Sequence, residues 1–498
     1  MNNLVLHGFN KSSTGVDYLI ACHDGSMKVL NVSTNKFVSG SFPYINATNN
    51  IGSVNFLDHA MFTNYLTNFS FDGTDWSDVT NVLDMPLGKY LETQGLRVFV
   101  GNVKIRGTAY PSRVAYSNLP NNNEVVWGFE TGTNLVQTTG SAVVTSVGSL
   151  FITRAIQIGD PLFIENGTNA GQYTVESIDS ETQITLTDTL SNTATSNFWV
   201  SSNWFDVMTD DGDFVNGFGK NSNELLVFKR NSLHRFNSTA KTLRQVKQVK
   251  GTTSPKSIVN CNEYTYYFYP NVGILRYNGT TSSVISEPLD DIITGITSSM
   301  YTEVVGWSVD DKKVEFYVGD VTLKDGDTVS KCVISFDLTM ETWSTRSLPW
   351  GIEQKTTWYN SGIPNTYISN TLGQVLKVDD GYTYNSSAIS FQLEDKVLFP
   401  VDSNTLVDFK RLILFVENGE DIQVLCKLYY KPTLDSNRWI NDKDWLPLSI
   451  KGNGEKIEII FPSGFRACGI QFKFIQSSSR ESFLLEKYII YYSNPSAI

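Results

Sequence analysis

The 498-residue chain holds only four histidines and five cysteines. His7, His23, His59 and His234 form neither an HxH nor an HExxH spacing, so metal-assisted and histidine-base mechanisms lack their usual parts. Cys22, Cys261, Cys332, Cys426 and Cys468 are odd in number, far apart and never arranged as CxxC. Neither a disulfide framework nor a zinc site is signalled, and the expected compartment of synthesis is reducing. No apolar run is long enough to span a membrane. The start, Met1-Asn2-Asn3-Leu4-Val5-Leu6-His7, has no basic n-region or apolar h-region, so sequons such as Asn278-Gly279-Thr280 read as Asn-rich turns of a chain that is not secreted. Positive charge is also short: 39 basic residues against 51 acidic ones leave a net charge of −12, which disfavours a protein that wraps nucleic acid through basic surfaces. Charged residues make up 18%, too few to coat many exposed helices, while 41% hydrophobic and 12% aromatic content excludes disorder and coiled coil.

A repeat runs through most of the chain. Seven segments share a template of an apolar or aromatic strand, a tight polar turn, and a second strand that usually ends in a large apolar residue followed by Asn or Asp. Tyr18-Leu19-Ile20-Ala21-Cys22 runs to Leu30-Asn31, for example, and Tyr264-Thr265-Tyr266-Tyr267-Phe268 to Tyr277-Asn278-Gly279. The anchors at 30, 71, 116, 236, 277, 336 and 378 are spaced by 41, 45, 120, 41, 59 and 42 residues. Most of these spacings lie in the roughly 40 to 50 residue period of propeller blades, small antiparallel sheets that bury their faces only by stacking on neighbours. The expected fold is therefore all-β: a β-propeller of about seven blades over residues 1–385, with long gaps reading as insertions.

The 120-residue gap contains a change of text. Short alternating strands with Gly/Asn turns, such as Pro161-Leu162-Phe163-Ile164 and Gly171-Gln172-Tyr173-Thr174-Val175, predict a small β-barrel-like domain over 135–201, bulging from one blade loop to make contacts. Beyond Tyr382 strict alternation takes over, as in Ile422-Gln423-Val424-Leu425-Cys426-Lys427-Leu428 and Ile470-Gln471-Phe472-Lys473-Phe474. This predicts a C-terminal β-sandwich of jelly-roll type over 386–498.

No catalytic, metal or cofactor site stands out. Paired glycosidase carboxylates would come from different blades and leave no linear signature. Asp210-Asp211-Gly212-Asp213 lacks the ligand ladder and terminal Glu of a calcium loop and reads as a polar turn before a strand. Gly217-Phe218-Gly219-Lys220-Asn221-Ser222 is followed by a strand, which rules out a phosphate-binding loop. One basic cluster, Lys241, Arg244, Lys247 and Lys250, could touch phosphate or an acidic partner, with an exposed outer blade strand as the plainer reading. Trp76, Trp127, Trp204 and Trp343 could stack on sugars, which supports an alternative: a carbohydrate-binding or carbohydrate-degrading propeller acting on host surface polysaccharide.

Two segments resemble a known family. Tyr90-Leu91-Glu92 through Leu96-Arg97-Val98-Phe99-Val100-Gly101, then Pro111-Ser112-Arg113-Val114-Ala115-Tyr116-Ser117-Asn118 and Val126-Trp127, is similar to a stretch of phage tail propeller proteins. Glu224-Leu225-Leu226-Val227-Phe228-Lys229, Gly251-Thr252-Thr253-Ser254-Pro255-Lys256-Ser257-Ile258-Val259 and Gly273-Ile274-Leu275-Arg276-Tyr277-Asn278-Gly279 resemble the next two blades of those proteins. The family includes the nozzle, or tail tubular protein B, of short-tailed bacteriophages and related tail-hub and head–tail ring components. The resemblance implies a virion structural protein, made in the host cytoplasm, that assembles as a ring, commonly a hexamer, around the DNA exit channel. Its partners would be its own copies, adjacent tail or adaptor proteins, tail fibres, and genomic DNA passing without tight binding. The chain is shorter than the long nozzle proteins and ends in a sandwich, which leaves its station along the tail open. An acidic conduit wall, to which phosphates do not adhere, fits beside this expectation.

Overall fold

A computed structural model describes residues 5–493 apart from 24, 35, 40–50, 78–84, 121–124, 222–223, 325, 361–362, 379–382, 385–386, 389–390, 395–396, 402–404, 418–421, 431–439, 442–444, 449–455 and 477–483. The boundary expected at 385/386 lies outside the described residues. Two compact units are present: the first covers 1–331, 335–343 and 350–378, the second 332–334, 344–349 and 379–498.

The first unit is a seven-bladed β-propeller. Six blades are four-stranded sheets and the seventh, Ile352–Asn360, Ile363–Asn370 and Val375–Lys377, has three described strands. The first strand of each blade lies innermost. In order these are Val5–Lys11, Gly52–Phe56, Tyr90–Gln94, Val215–Asn221, Val259–Cys261, Val305–Val309 and Ile352–Asn360. Each touches the next, and the last returns to the first, closing the ring.

The blades bury both faces, which is why their middle strands read as unbroken apolar runs. In the fourth blade Leu225 and Val227 pack towards the third blade with Phe99, Tyr116 and Phe236, while Leu226 and Phe228 pack towards the fifth with Tyr267 and Tyr277. Successive side chains of one strand thus serve two different interfaces.

The anchor of the repeat has a physical cause. The anchors fall at or just past the end of a blade's third strand, and in five of the blades the Asn or Asp beside the anchor builds the hairpin to the fourth. Asn31, Asp72, Asn237, Asn278 and Asp337 each accept, through one side-chain oxygen, the backbone N–H groups two and three residues onward. A short polar side chain that mimics a backbone turn is needed there, so Asn and Asp recur.

Ring closure requires close approach along the axis. The Gly8 N–H donates to Thr356 Oγ1 at 2.8 Å, joining the first blade to the seventh. A Cβ on Gly8 would overlap the Thr357 carbonyl. Leu6, Leu19, Ala21 and Trp358 seal the same junction, with Leu30, Phe37, Tyr367 and Val375 packed against them.

The inserted domain is a closed six-stranded barrel from Glu130 to Val200, so it begins earlier than the expected 135. It leaves the third blade after that blade's third strand, Thr108–Tyr116, and the chain returns to add the fourth, Trp204–Asp206. Leu135, Val144, Phe151, Leu162, Ile184 and Phe198 fill its interior.

The second unit contains two antiparallel sheets around a shared core. Ile422–Tyr430 pairs with Gly469–Gln476 in one, and Val407–Glu417 pairs with Lys456–Ile460 and Leu484–Ser493 in the other. Ile422, Val424, Cys426 and Leu428 alternate into the core, where they meet Leu412, Leu414, Ile457 and Ile459.

Candidate functional site

The basic cluster lies on the rim of the fourth blade. Arg244 sits in its outermost strand, Thr242–Gln245, opposite Arg235; Lys241 occupies the preceding turn with φ of 50°, and Lys247 and Lys250 follow in the segment beyond. All four are exposed, and none forms an ion pair with a described residue. The Lys250 ammonium lies 5.8 Å from the Tyr269 ring centre. The structure thus places the four along one edge, and the recesses described below are lined by other residues.

The polar turn Asp210-Asp211-Gly212-Asp213 receives its cation from the protein. The Lys229 ammonium, fully buried, donates to the carbonyls of Val207 and Met208 at 2.9 and 2.8 Å and to Asp211 Oδ1 at 2.6 Å. Asp213 accepts backbone N–H groups of Phe214 and Asn231. These oxygens are occupied by ammonium and amide donors, which leaves no calcium cage. Gly217-Phe218-Gly219 belongs to the innermost strand of the fourth blade, where an added Cβ would meet Ile258 or Phe228. Their glycines serve blade packing.

Three histidines are held away from acid–base work. Burial pushes His7 down to about 4, with Asn55 Oδ1 2.6 Å away. Burial likewise pushes His234 down to about 4 beside Ser232, and it lowers His59. The side chain of His23 lies outside the described residues. Among the described residues no group of three or more His, Cys, Asp or Glu is placed to hold a metal ion, and no helix is long and apolar enough to cross a membrane.

The tryptophans divide. Trp127 is buried beneath the third blade, Trp76 packs against Phe71 at 4.6 Å, and Trp343 packs on Phe336 at 4.7 Å while its Nε1 donates to the Ile285 carbonyl. Trp204 instead carries the guanidinium of Arg113 at 3.7 Å.

Three recesses stand out among the described residues. One of about 170 Å³ opens on the axis between Ile51, Tyr90, Phe218, Lys256 and Gln354. A second, of about 260 Å³, is lined by Asn260, Ser308, Lys355, Thr357 and Thr366. There the Lys355 ammonium crosses from the seventh blade to donate to the Ile258 carbonyl at 2.8 Å, and burial pushes it down to about 7. A third, of about 540 Å³, separates the inserted barrel from the third blade and is lined by Thr108, Tyr110, Phe163, Asn166, Gln172 and Asn197 among others.

The barrel also presents apolar side chains to solvent. Between its second strand, Val143–Ser146, and its third, Pro161–Ile164, Val147 is 80% exposed, Ile158 70% and Ile152 56%, while Phe151 and Ile156 anchor the same segment in the barrel interior. Its backbone is pinned by carboxylates. Glu181 accepts the N–H groups of Ile152 and Thr153 and the Thr153 hydroxyl, and Glu130 accepts the N–H of Leu150. Apolar side chains on a fixed backbone need no ordering before a partner covers them. Neither this segment nor the barrel–blade recess was singled out in the sequence; the run Val147-Gly148-Ser149-Leu150-Phe151-Ile152 was the available signal for the first.

No protein-family model matches the sequence, and no curated protein matches it. Solved structures similar to the chain are β-propellers. The Cps50 (Swd1) propeller domain of Myceliophteria thermophila is 6% identical over 76% of this chain and 97% of its own, with a TM-score of 0.38. BamB from Moraxella catarrhalis is 11% identical over 72% of this chain and 92% of its own, with a TM-score of 0.32. A chain of a mitotic checkpoint complex is 7% identical over 76% of this chain and 90% of its own, with a TM-score of 0.37.

Proposed function

We propose that the chain is a non-enzymatic structural component of a phage tail, a β-propeller that assembles with its own copies into a ring, of about six by the family resemblance, around the DNA exit channel and docks neighbouring tail proteins. The observation that carries this reading is the pinned segment from Val147 to Ile158, which holds large apolar side chains in water on an inserted domain. Exposed apolar groups clustered on a rigid element mark a surface meant to be covered. The net charge of −12 favours a wall along which DNA slides. Histidines buried in their neutral form and a lysine committed to a turn fit a scaffold better than an active site.

Analytical ultracentrifugation and negative-stain microscopy of the full chain test this. A concentration-dependent ring is expected, and Val147→Lys with Ile158→Lys should leave monomers with an unchanged melting temperature. A wild-type chain that stays monomeric at all concentrations and is absent from virions would overturn it.

A further inference from the structure

We infer that the recess between the inserted barrel and the third blade binds a neutral sugar unit of a glycan. Its floor is the outer face of the barrel. Across three neighbouring strands Gln172 stands opposite Phe163, and Phe163 opposite Trp199, so the three side chains form one row on that face. The Phe163 and Trp199 rings stack at 3.9 Å with 15° between their planes. Trp199 is almost wholly covered and backs Phe163, which stays partly exposed together with Tyr110 from the blade side. A rigid, backed aromatic ring suits the C–H face of a pyranose, which is apolar while its edge is polar.

The polar groups beside that ring are uncommitted. Asn166 Oδ1 accepts the Asn197 N–H at 2.7 Å, which leaves the Asn166 Nδ2 without a described partner. The side-chain amides of Asn197 and Gln172 and the hydroxyls of Thr108 and Tyr110 also line the recess without a described partner. An amide offers a donor and an acceptor together, the pattern that adjacent sugar hydroxyls satisfy.

Charge decides against an anionic ligand. The Arg113 guanidinium is paired with Asp206 through two hydrogen bonds of 2.8 and 2.9 Å, and its remaining Nη1, which has no hydrogen-bond partner, is buried out of reach of solvent. Arg106 is paired with Glu165 at 2.8 Å. With both cations neutralised, a phosphate or uronate would enter beside a carboxylate and gain no counter-charge. A volume of about 540 Å³ accommodates one or two sugar rings. The inference does not depend on ring assembly, because every residue named belongs to one copy of the chain.

A glycan array of neutral hexose and N-acetylhexosamine oligosaccharides, followed by titration of the full chain with the retained sugars and with inorganic phosphate, tests the proposal. At least one neutral oligosaccharide should bind and shift the tryptophan fluorescence, while phosphate gives no signal. Gln172→Ala with Asn197→Ala should weaken that binding about tenfold or more without moving the melting temperature, and Phe163→Ala should abolish it. Should Phe163→Ala fail to fold, the amide pair still decides. Retention of no neutral sugar at about 10 mM, binding indifferent to the amide variants, or preferential binding of phosphate would each overturn the inference.

Discussion

His7 and His234 lie inside the propeller without their protons at neutral pH, each pushed down by burial to about 4. On unfolding both return to about 6.5, so between those values the unfolded chain binds more protons than the folded one. Their contribution to stability is therefore complete above pH 6.5 and drains away as the pH falls towards 4, at about 1.4 kcal/mol per pH unit for each. His59, lowered by burial too, acts with the same sign. Urea midpoints measured from pH 7 downward should fall through this window, and a His7→Asn, His234→Asn chain should show the shallower slope. Equal slopes in the two proteins would refute the assignment. Lys229 shows another solution to burial: two carbonyls and one carboxylate surround its side-chain nitrogen and take up its hydrogen bonds. The sequence displayed the acids of that turn, and nothing linear linked them to a lysine on the following blade.

Among the elements, the blade was legible because its signature is local. An apolar residue followed by Asn or Asp marks the third strand and its turn, and the side-chain caps of Asn31, Asp72, Asn237, Asn278 and Asp337 show why the pair cannot drift. The innermost strands were less legible, since crowding at the axis demands small residues such as Gly8 and Gly306 in place of a period. In the second unit, Ile422–Tyr430 was visible by alternation, whereas Val407–Glu417 carries the continuous run Leu412-Ile413-Leu414-Phe415-Val416. The sugar recess was hidden for another reason: Tyr110, Phe163, Gln172 and Asn197 lie on four strands, and only strand register and the docking of the barrel bring them together. Gly8→Ala tests the closure at the axis. Its methyl group would overlap the Thr357 carbonyl, so the loss should exceed the roughly 1–3 kcal/mol of ordinary overpacking, read as a lowered urea midpoint. Gly107, with nothing within 4 Å but a φ of +88°, is the control: alanine there should cost only about 1 kcal/mol of backbone strain.

For the molecule as a whole, a net charge of −12 and one short exposed basic edge set the expected behaviour towards DNA. Gel-shift assays at physiological salt should show no retention of duplex DNA by the purified chain. A tight, salt-sensitive complex would contradict this and would make Lys241, Arg244, Lys247 and Lys250 the phosphate contacts to mutate first. The propeller is shut by apposition of its first and seventh blades, and that has a cost paid during synthesis. Gly8 and Thr356 are 348 residues apart. At about 5–20 residues per second, the first blade leaves the ribosome roughly 17–70 s before its partner is made. Throughout that interval Leu6, Leu19, Ala21, Leu30 and Phe37 have no seventh blade to cover them. On a crowded polysome the uncovered first blades of neighbouring nascent chains are exposed to one another, so the yield of soluble protein is expected to respond to elongation rate and chaperone occupancy as well as to the stability of the finished ring.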